Sequence, residues 1–348
     1  MSGAAIQPAE GPAGLDPARL QDWITGLGVG AQPPLGYKRF GSGKSNLTYL
    51  VTDSATKCWV LRRPPLGQLL ASAHDVTREA RILDALGTTR VPAPRVFGLA
   101  AAGEICEAPV LLMEHVEGLL IDDSSDAAIL SLEQRVAVSN ALASTLALIH
   151  DVDLKAAGLL SLSSHEPYAD RQLKRWHRQW ERSRNRKVPI VDELAERLRS
   201  AVPKQRELTI LHGDFHLRNV ILSPSDGNVR TVLDWELCTL GDPLADVGSL
   251  LAYWPQSGEQ ATAINDASKL PGFLSRDELA AVYGRASERT LEHLGFWYVF
   301  GLWKLAIIAE GVRHRDSDTA RPHDRITEAG VDELIARAVT AAESEHLL

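Results

Sequence analysis

An α+β fold with two lobes is predicted from two features of this 348-residue sequence. Short β-rich segments bounded by Gly and Pro occur up to about residue 115, whereas from about Gly118 onward the apolar residues recur at helical spacing. The chain should therefore form a small antiparallel sheet first and a larger helical part after it. We expect 1–15 to be a disordered tail, 16–115 the sheet-containing lobe and 116–348 the helical lobe, with a ligand cleft between the lobes.

The amino-terminal lobe contains two predicted helices and five predicted strands. Asp16 followed by Pro17 is typical of a capped helix start. Helical spacing of apolar residues predicts a second helix over 74–86. The strands are predicted from their β-rich composition and the turns between them, at 37–40, 47–52, 58–61, 95–100 and 109–114.

The loop between the first two strands, 41–46, reads Gly-Ser-Gly-Lys-Ser-Asn. It does not fit the P-loop pattern, because position 38 is Lys where that pattern needs Gly, and because the loop joins two strands. Two interpretations stay open. The loop is either an ordinary Gly/Ser turn or a hairpin whose backbone N–H groups lie over phosphates.

The carboxy-terminal lobe is predicted to be helical apart from one central stretch. The segment 131–150 is strongly periodic and begins with Ser131 and Gln134 at capping-box spacing. The most apolar segment, 294–309, carries Lys304 and is shorter than the roughly 20 apolar residues of a membrane span, so we expect a buried helix. Further helices are predicted at 170–187, 191–202, 245–253, 276–294, 296–313 and 330–342.

The central stretch, 208–246, combines short strands with polar residues at their ends. An apolar run leads into the polar loop 212–219, and a hairpin follows, with strands at 220–222 and 229–233. Asp234 comes directly after the second of these strands. The pattern predicts that Asp214, Asn219 and Asp234 meet at neighbouring strand ends.

These three residues suit phosphoryl transfer, which needs a base at the acceptor hydroxyl and a metal or cations on the phosphates. Asp214 and Asn219 are five residues apart, as are the Asp that accepts a proton and the Asn that binds metal in protein kinases. A lone Asp is usually a turn or cap residue. That alternative would have to explain the His-Gly-Asp sequence, the spacing, the hairpin and Asp234 together.

Composition limits the classes of partner. The chain is 45% hydrophobic and 24% charged, as in ordinary globular proteins, and its net charge of −8 argues against binding of the whole molecule to nucleic acid or an anionic membrane. The three cysteines are odd in number and none lies in a CxxC pair. We therefore expect a reducing, cytoplasmic location and no zinc site. The first 20 residues lack the pattern of a signal peptide.

The chain resembles small-molecule kinases of the aminoglycoside phosphotransferase/choline kinase type, a branch of the protein-kinase-like fold. The residues that carry this resemblance are LHGDFHLRNVIL and, later, VLDWELCTLGDPLADVGSLL. More narrowly, the chain is similar to the kinase portion of acyl-CoA-dehydrogenase-fused proteins, in VLRRPPLGQLLASAHDVTREARIL, RQLKRWHRQW and FGLWKLAIIAEGVRHR. The resemblance covers about 35–315 and implies a bilobal fold, ATP or GTP as phosphoryl donor and Mg²⁺ as cofactor.

In the helical lobe, the resemblance implies roles for four residues. Asp214 is the catalytic base or the carboxylate that orients the acceptor, and Asn219 and Asp234 hold Mg²⁺. Asp246 bonds the backbone of the catalytic loop. We expect His216 to be a packing residue of the loop rather than a ligand.

In the sheet-containing lobe, the resemblance implies a nucleotide site. Arg62 stands where most relatives have Lys, with Glu79 as its ion-pair partner. Arg either holds the α- and β-phosphates by its planar fork or pairs with Glu79 only, which leaves Arg63 as a second candidate. Because Arg62 replaces the usual Lys, a pseudokinase or a scaffold without catalysis stays an alternative. Ser45 and Asn46 are expected over the phosphates, and Glu114 and Val116 offer backbone hydrogen bonds to the purine.

The clue to the acceptor is a basic helix face. The cations recur at three- and four-residue spacing beside Trp176 and Trp180. They are either solvated or bind an anionic acceptor such as a hydroxyacyl-CoA. An aminoglycoside would instead need an acidic pocket, and the acids at 122–126 indicate first a solvated loop. The cations are Arg171, Lys174, Arg175, Arg178 and Arg182.

Overall fold

The structure, a computed structural model, describes residues 11–40, 46–65, 75–164, 166–184, 186–260, 266–315 and 326–347. The chain divides into two compact units, Met1–Glu117 and Gly118–Leu348.

The first unit is built on a five-stranded sheet. Its order is β1-β2-β3-β5-β4, and each neighbouring pair is antiparallel. The predicted antiparallel sheet is therefore confirmed. The strands are β1 (Gly36–Phe40), β2 (Leu47–Thr52), β3 (Cys58–Arg63), β4 (Val96–Ala100) and β5 (Val110–Glu114).

Two helices accompany this sheet, as predicted. Helix α1 (Pro17–Gly26) begins at Asp16, whose carboxylate accepts the backbone N–H groups of residues 18 and 19. Leu20 of α1 packs with sheet residues such as Leu61 in one buried cluster. Helix α2 (Val76–Leu86) begins after Asp75, which caps it.

Residues 11–15 differ from the predicted tail. Leu15 is buried in the same cluster as Leu20. The carbonyl of Ala13 accepts a hydrogen bond of 3.0 Å from Arg63, and its N–H donates to the Tyr49 hydroxyl at 3.1 Å. The segment is ordered because it supplies an apolar side chain to the core and a backbone partner to a buried cation. Residues 1–10 lie outside the described part.

The second unit is mainly helical. Its helices are α3 (Ser124–Ala127), α4 (Leu132–His150), α5 (Tyr168–Ser183), α6 (Pro189–Ser200), α7 (Leu244–Ala252), α8 (Arg276–Ser287), α9 (Leu294–Arg315) and α10 (Glu328–Ser344). The capping box predicted from Ser131 and Gln134 is present at the start of α4.

Two helix predictions need correction. Helix α8 ends seven residues before the predicted 294, because Glu288 takes a left-handed backbone conformation with φ 56°. Asp122 and Asp123 are exposed, as expected for the acids at 122–126, but residues 124–127 form helix α3 and not a loop; the Asp123 carboxylate caps this helix, and Asp122 pairs with Arg218 at 2.5 Å. Spacing along the sequence does not show these local and long-range partners.

Two small sheets support the central stretch. Strand β7 (Val220–Leu222) pairs with β8 (Val229–Val232), which is the predicted hairpin. Strand β6 (Thr209–Leu211) pairs with β9 (Thr239–Gly241), a strand that was not predicted. The second pairing closes the chain from 209 to 241 into one compact segment.

Helix α9 is the predicted buried helix. Its segment Leu294–His314 is long and apolar enough to cross a membrane by length and composition, but 78% of the apolar window is buried within the fold. It crosses α7 closely, since a Cβ atom on Gly248 would lie 2.3 Å from the backbone of Trp297. This close crossing brings residues of α9 to the central stretch.

Candidate active site

Asp246 on α7 anchors the start of the polar loop. Its carboxylate accepts the backbone N–H of His212 at 2.6 Å and that of Gly213 at 3.0 Å. Burial acts to raise the pKa of Asp246, but hydrogen bonding and charge from His150, with the loop N–H groups, outweigh it and hold the pKa below its ordinary value. Asp246 is therefore an ionised, buried carboxylate that holds the loop backbone.

His212 ties the loop to the end of β8. Its Nδ1 accepts the N–H of Asp214 at 3.2 Å, so the proton lies on Nε2, which donates to the carbonyl of Leu233 at 2.8 Å. Burial is the main cause that lowers the pKa of His212, which keeps the ring neutral. Gly213 between them has φ 83°, and a Cβ there would lie 2.7 Å from the carbonyl of Leu237. The turn therefore requires glycine.

Asp214 is presented at the surface of this loop. A quarter of its side chain is exposed. Asn219 Nδ2 donates to the Asp214 carbonyl at 2.8 Å and lies 3.3 Å from its carboxylate Oδ2. His216 Nε2 is 3.4 Å from Oδ2, and the ring of Tyr253 lies 4.3 Å from the ring of His216.

The charges around Asp214 keep it ionised. Burial acts to raise its pKa, but His216 and then Lys304 stabilise the negative charge and lower the pKa below its ordinary value. His216 is thus more than the packing residue that we expected, because it contacts the carboxylate. Such a carboxylate can accept a hydrogen bond from a hydroxyl at neutral pH.

Asn219 and Asp234 lie at one end of the β7–β8 hairpin. The carbonyl of Asn219 accepts the N–H of Leu233 at 2.8 Å, so the residue after Leu233 is brought beside Asn219. Asp234 has φ 63° and ψ 63°, a left-handed conformation that few residues other than glycine adopt. Strained backbone of this kind is often found at functional sites.

These two side chains fit a magnesium ion. Asn219 directs its Nδ2 at Asp214, so its Oδ1 is the side-chain atom that could act as an oxygen ligand. Mg²⁺ prefers oxygen ligands and is usually held by one or two carboxylates together with substrate phosphates. Among the described residues, no cluster of three or more His, Cys, Asp or Glu could hold a metal. A magnesium ion here would therefore have few protein ligands and would need the substrate phosphates as well.

In the first unit, Arg62 and Glu79 form a buried ion pair. Arg62 Nη1 lies 2.5 Å from Glu79 Oε1, and the side chains are 9% and 2% exposed. Arg63 has other partners, since it donates to the carbonyl of Ala13 and to Glu107 Oε1 at 3.1 Å. Of the two candidates for the phosphate cation, Arg62 is therefore the one next to Glu79.

The structure describes three of the four other residues of the implied nucleotide site. Asn46 is buried directly before β2, whereas Ser45 lies outside the described residues. Glu114 ends β5, where its N–H donates to the carbonyl of Arg95 at 2.9 Å. Val116 follows in the last residues of the unit.

Sequence reasoning missed Lys304 and Tyr253. Lys304 Nζ donates to the carbonyl of Gly213 at 2.8 Å and lies 5.5 Å from the ring centre of Trp176. A lysine within an apolar helix was a usable signal, but we read it only as evidence against a membrane span. Nothing in the sequence around Tyr253 distinguishes it from a core tyrosine.

The basic face of α5 separates into two groups. Arg171 donates to the carbonyls of Glu166 and Leu240, and Lys174 pairs with the Glu166 carboxylate. These two cations are structural. The remaining three, Arg175, Arg178 and Arg182, are exposed.

Arg175 lies near Lys304, the lysine that bonds the loop at 212–219. Its guanidinium is 5.2 Å from the ring centre of Trp176, the residue that also contacts Lys304. Burial is the main cause that lowers the pKa of Lys304, and the charge of Arg175 acts in the same direction. Exposed Arg175 therefore lies near buried Lys304, which bonds the loop.

Comparison with known families gives a consistent result. The model of the family described as "Phosphotransferase enzyme family" matches residues 36–281. This range includes the sheet of the first unit and the whole central stretch.

Two curated relatives are similar over nearly the whole chain. Acyl-CoA dehydrogenase family member 10 of Mus musculus is 34% identical over 322 residues, which are 89% of this chain and 30% of that protein. Acyl-CoA dehydrogenase family member 11 of Homo sapiens is 30% identical over 305 residues, 86% of this chain and 38% of that protein. The chain spans about a third of the length of these relatives.

Solved structures show the fold. A Ralstonia eutropha protein, provisionally assigned as an aminoglycoside phosphotransferase, has a TM-score of 0.78 at 25% identity, over 94% of this chain and 99% of that one. The aminoglycoside phosphotransferase APH(4)-Ia, in complex with AMP-PNP and hygromycin B, has a TM-score of 0.58 at 15% identity, over 89% and 94%. The predicted kinase-like α+β fold is confirmed.

Proposed function

This chain belongs to the phosphotransferase enzyme family, and we propose that it transfers the γ-phosphate of ATP or GTP to a hydroxyl group of a small molecule. The observation that supports this most is the loop at 212–219. There Asn219 holds both the carbonyl and the carboxylate of an ionised Asp214, and Asp234 stands at the same hairpin end. A chain that only bound nucleotide would have no chemical need for this set.

In the proposed reaction, Asp214 accepts a hydrogen bond from the acceptor hydroxyl. The hydroxyl oxygen forms a bond to the γ-phosphorus while the bond to the bridging oxygen of the β-phosphate breaks, and the proton passes to the Asp214 carboxylate. The products are ADP or GDP and the phosphorylated acceptor. Because the pKa of Asp214 is low and phosphoryl transfer is largely dissociative, we expect Asp214 to act mainly by orienting the hydroxyl.

Two further groups would offset the charge on the phosphates in the proposed reaction. Mg²⁺, held by Asn219 and Asp234, would neutralise charge on the β- and γ-oxygens when bound. Arg62 presents a planar guanidinium, and its pairing with Glu79 limits the positions that it can take. An arginine fork can bond two phosphate oxygens at once, so it can take the place of the lysine that most relatives have.

For the acceptor we favour an anionic molecule of the hydroxyacyl-CoA type. Exposed Arg175, Arg178 and Arg182 support this choice, as does the name that the curated relatives share. The alternative is an aminoglycoside, which the structural neighbour APH(4)-Ia binds as hygromycin B. A polycationic antibiotic would need free carboxylates, but Asp122 is paired with Arg218.

The first experiment tests the role of Asp214. We expect Asp214→Asn to lower kcat by roughly 10²–10⁴-fold, the usual contribution of a positioned acid or base, while the affinity for MgATP measured by calorimetry stays near that of the wild type. Asp226→Asn, the same change in an exposed hairpin turn, is the matched control. Substantial phosphate transfer by Asp214→Asn would show that the assignment is wrong.

The second experiment identifies the acceptor. ADP release and product mass are measured with 3- and 4-hydroxyacyl-CoAs, with the matching acyl-CoAs that lack the hydroxyl, and with kanamycin and hygromycin B. Turnover that requires the hydroxyl of an acyl-CoA supports the favoured form, and turnover of an aminoglycoside supports the alternative. Nucleotide binding that needs no metal, together with no hydrolysis at all, would instead indicate a pseudokinase.

The cytoplasmic location and the absence of nucleic-acid and membrane partners stay predictions from composition.

A further inference from the structure

The second unit contains a pocket that the candidate active site does not use. It has a volume of about 220 Å³ and is formed by residues from three segments, 203–207, 242–244 and 289–297. An apolar cavity of about 150 Å³ is large enough to bind benzene. The pocket therefore has room for a six-membered ring that carries a small substituent.

This pocket and the loop at 212–219 lie at opposite ends of one strand pair. Strand β6 runs from Thr209 towards the loop, and its antiparallel partner β9 runs away from it. Strand β9 ends at Gly241, beside Thr209, and the next residue, Asp242, lines the pocket. The pocket is therefore a different site from the one that would carry out phosphoryl transfer.

Asp242 gives the pocket wall a buried hydrogen-bond acceptor. Its Oδ1 accepts the backbone N–H of Leu244 at 3.0 Å, and no described residue donates a hydrogen bond to the other oxygen. Burial is the main cause that raises the pKa of Asp242, and the charge of Glu207 acts in the same direction. A ligand that donates a hydrogen bond to the second oxygen would offset part of the cost of this burial.

Trp297 gives the wall a buried hydrogen-bond donor. Its side chain is buried, and its indole N–H has no hydrogen-bond partner among the described residues. Buried polar groups are normally paired, as is the indole of Trp303, which donates to the carbonyl of Val191 at 3.0 Å. The residues of the pocket thus include one acceptor and one donor that the described part of the chain does not satisfy.

The charged side chains around the pocket balance one another. Glu207 pairs with Arg289 and Glu292 pairs with Arg206, each at 2.6 Å. The pocket residues comprise three that are Lys or Arg and three that are Asp or Glu. A strongly charged ligand would therefore meet no excess of opposite charge, whereas a neutral ligand needs only the two unpaired groups and apolar contacts.

We propose that this pocket binds a small neutral molecule with an apolar body and one group that both donates and accepts hydrogen bonds, as a carboxamide does. The NH₂ group of the ligand donates to Asp242, and its carbonyl oxygen accepts the indole N–H of Trp297. The apolar body contacts Leu244, Pro203 and Pro243, which also line the pocket. This inference does not depend on the proposed phosphotransfer.

The probe is benzamide, and benzoate and benzylamine are its matched controls, because benzoate can only accept hydrogen bonds and protonated benzylamine can only donate them. The full chain is labelled with ¹⁵N at its tryptophan indoles, and the NMR signals of Trp297 and Trp303 are assigned by their loss in Trp297→Phe and Trp303→Phe. We expect benzamide to shift the Trp297 signal with Kd on the order of 1 mM and to leave the Trp303 signal in place. The two controls should bind at least about tenfold more weakly.

Two variants test whether the probe binds in this pocket. Asp242→Asn keeps an oxygen for the Leu244 N–H but presents an NH₂ group to the ligand, so Kd for benzamide should rise about tenfold. Thr290→Tyr places a ring at an exposed position of the pocket and should weaken binding by a similar factor; it decides the question if Asp242→Asn does not fold. Asp226→Asn and Asp214→Asn should both leave Kd within about twofold of the wild type.

The outcomes separate the site from the class of its ligand. A Trp297 shift that the pocket variants weaken supports the inference. No shift at about 20 mM benzamide, or a Kd that neither pocket variant changes, would overturn it and leave the two unpaired groups to water. Tighter binding of benzoate or benzylamine would show that the ligand class is wrong. A Kd raised about tenfold by Asp214→Asn would place the probe in the candidate active site, whereas failure of the phosphotransfer assay would affect only the proposed function.

Discussion

Replacing Asp246 by asparagine tests how the loop at 212–219 is held. The carboxylate accepts two backbone N–H groups and is 1% exposed. An asparagine keeps one acceptor oxygen, but its NH₂ group would face the second N–H, so two donors are left without an acceptor in the interior. A buried polar group without a partner costs about 1–3 kcal/mol, and the lost hydrogen bond to a charge is of similar size.

We therefore expect Asp246→Asn to lower the free energy of unfolding of the second unit by about 3 kcal/mol. For a domain of this size each kcal/mol corresponds to roughly 2–4 °C, so Tm should fall by about 6–12 °C. The assay is differential scanning calorimetry of the two proteins, with Asp226→Asn as an exposed control that should stay close to the wild type.

The pH dependence of this difference provides an independent check. Because the pKa of Asp246 is lowered in the folded state, its stabilisation is complete above the ordinary carboxyl pKa and is lost only as pH falls through the folded value. The Tm difference should thus be constant from about pH 8 to 5 and shrink only below about pH 4. A difference under about 2 °C, or one that already closes near pH 6, would refute the reasoning.

Three further predictions concern the cations. Arg62→Ala should lower the free energy of unfolding by about 3–5 kcal/mol, because it breaks a buried ion pair. Replacing both Arg62 and Glu79 by Met should restore the free energy of unfolding measured by denaturation, but not the MgATP affinity measured by calorimetry. Lys304→Met should lower kcat about tenfold, which corresponds to an activation free energy higher by about 1.4 kcal/mol. Tm should change little, because the lost bond to Gly213 is offset by removal of a buried charge. A fall in Tm with normal kcat would contradict this prediction. Arg175→Gln should raise KM about tenfold for an anionic acceptor and leave KM for ATP unchanged, and equal effects on both would exclude an acceptor-specific role.

Much of the candidate site could be predicted because its residues are close in sequence. Asp214 and Asn219 are five residues apart on one loop, and Asp234 follows the hairpin that begins at Asn219. Hairpin pairing is local, so alternation of apolar residues and a Gly-containing turn are enough to place these side chains at one end.

The pairing of β6 with β9 and the contacts of Lys304 and Tyr253 could not be predicted in the same way. Lys304 is 91 residues from Gly213, whose carbonyl it bonds. Its position depends on how α9 packs against α7, where glycines permit a close approach. Such contacts arise from packing and have no periodic signal in a single sequence.

By itself, the sequence determined the fold class, the order of most elements and the group of Asp214, Asn219 and Asp234, because those depend on local spacing. Only the tertiary structure decided between Arg62 and Arg63. Adjacent residues on a strand point to opposite faces of the sheet, so Arg62 meets Glu79 of α2 while Arg63 bonds the carbonyl of Ala13. The sequence shows two neighbouring cations, and the packing of each face determines what each of them contacts.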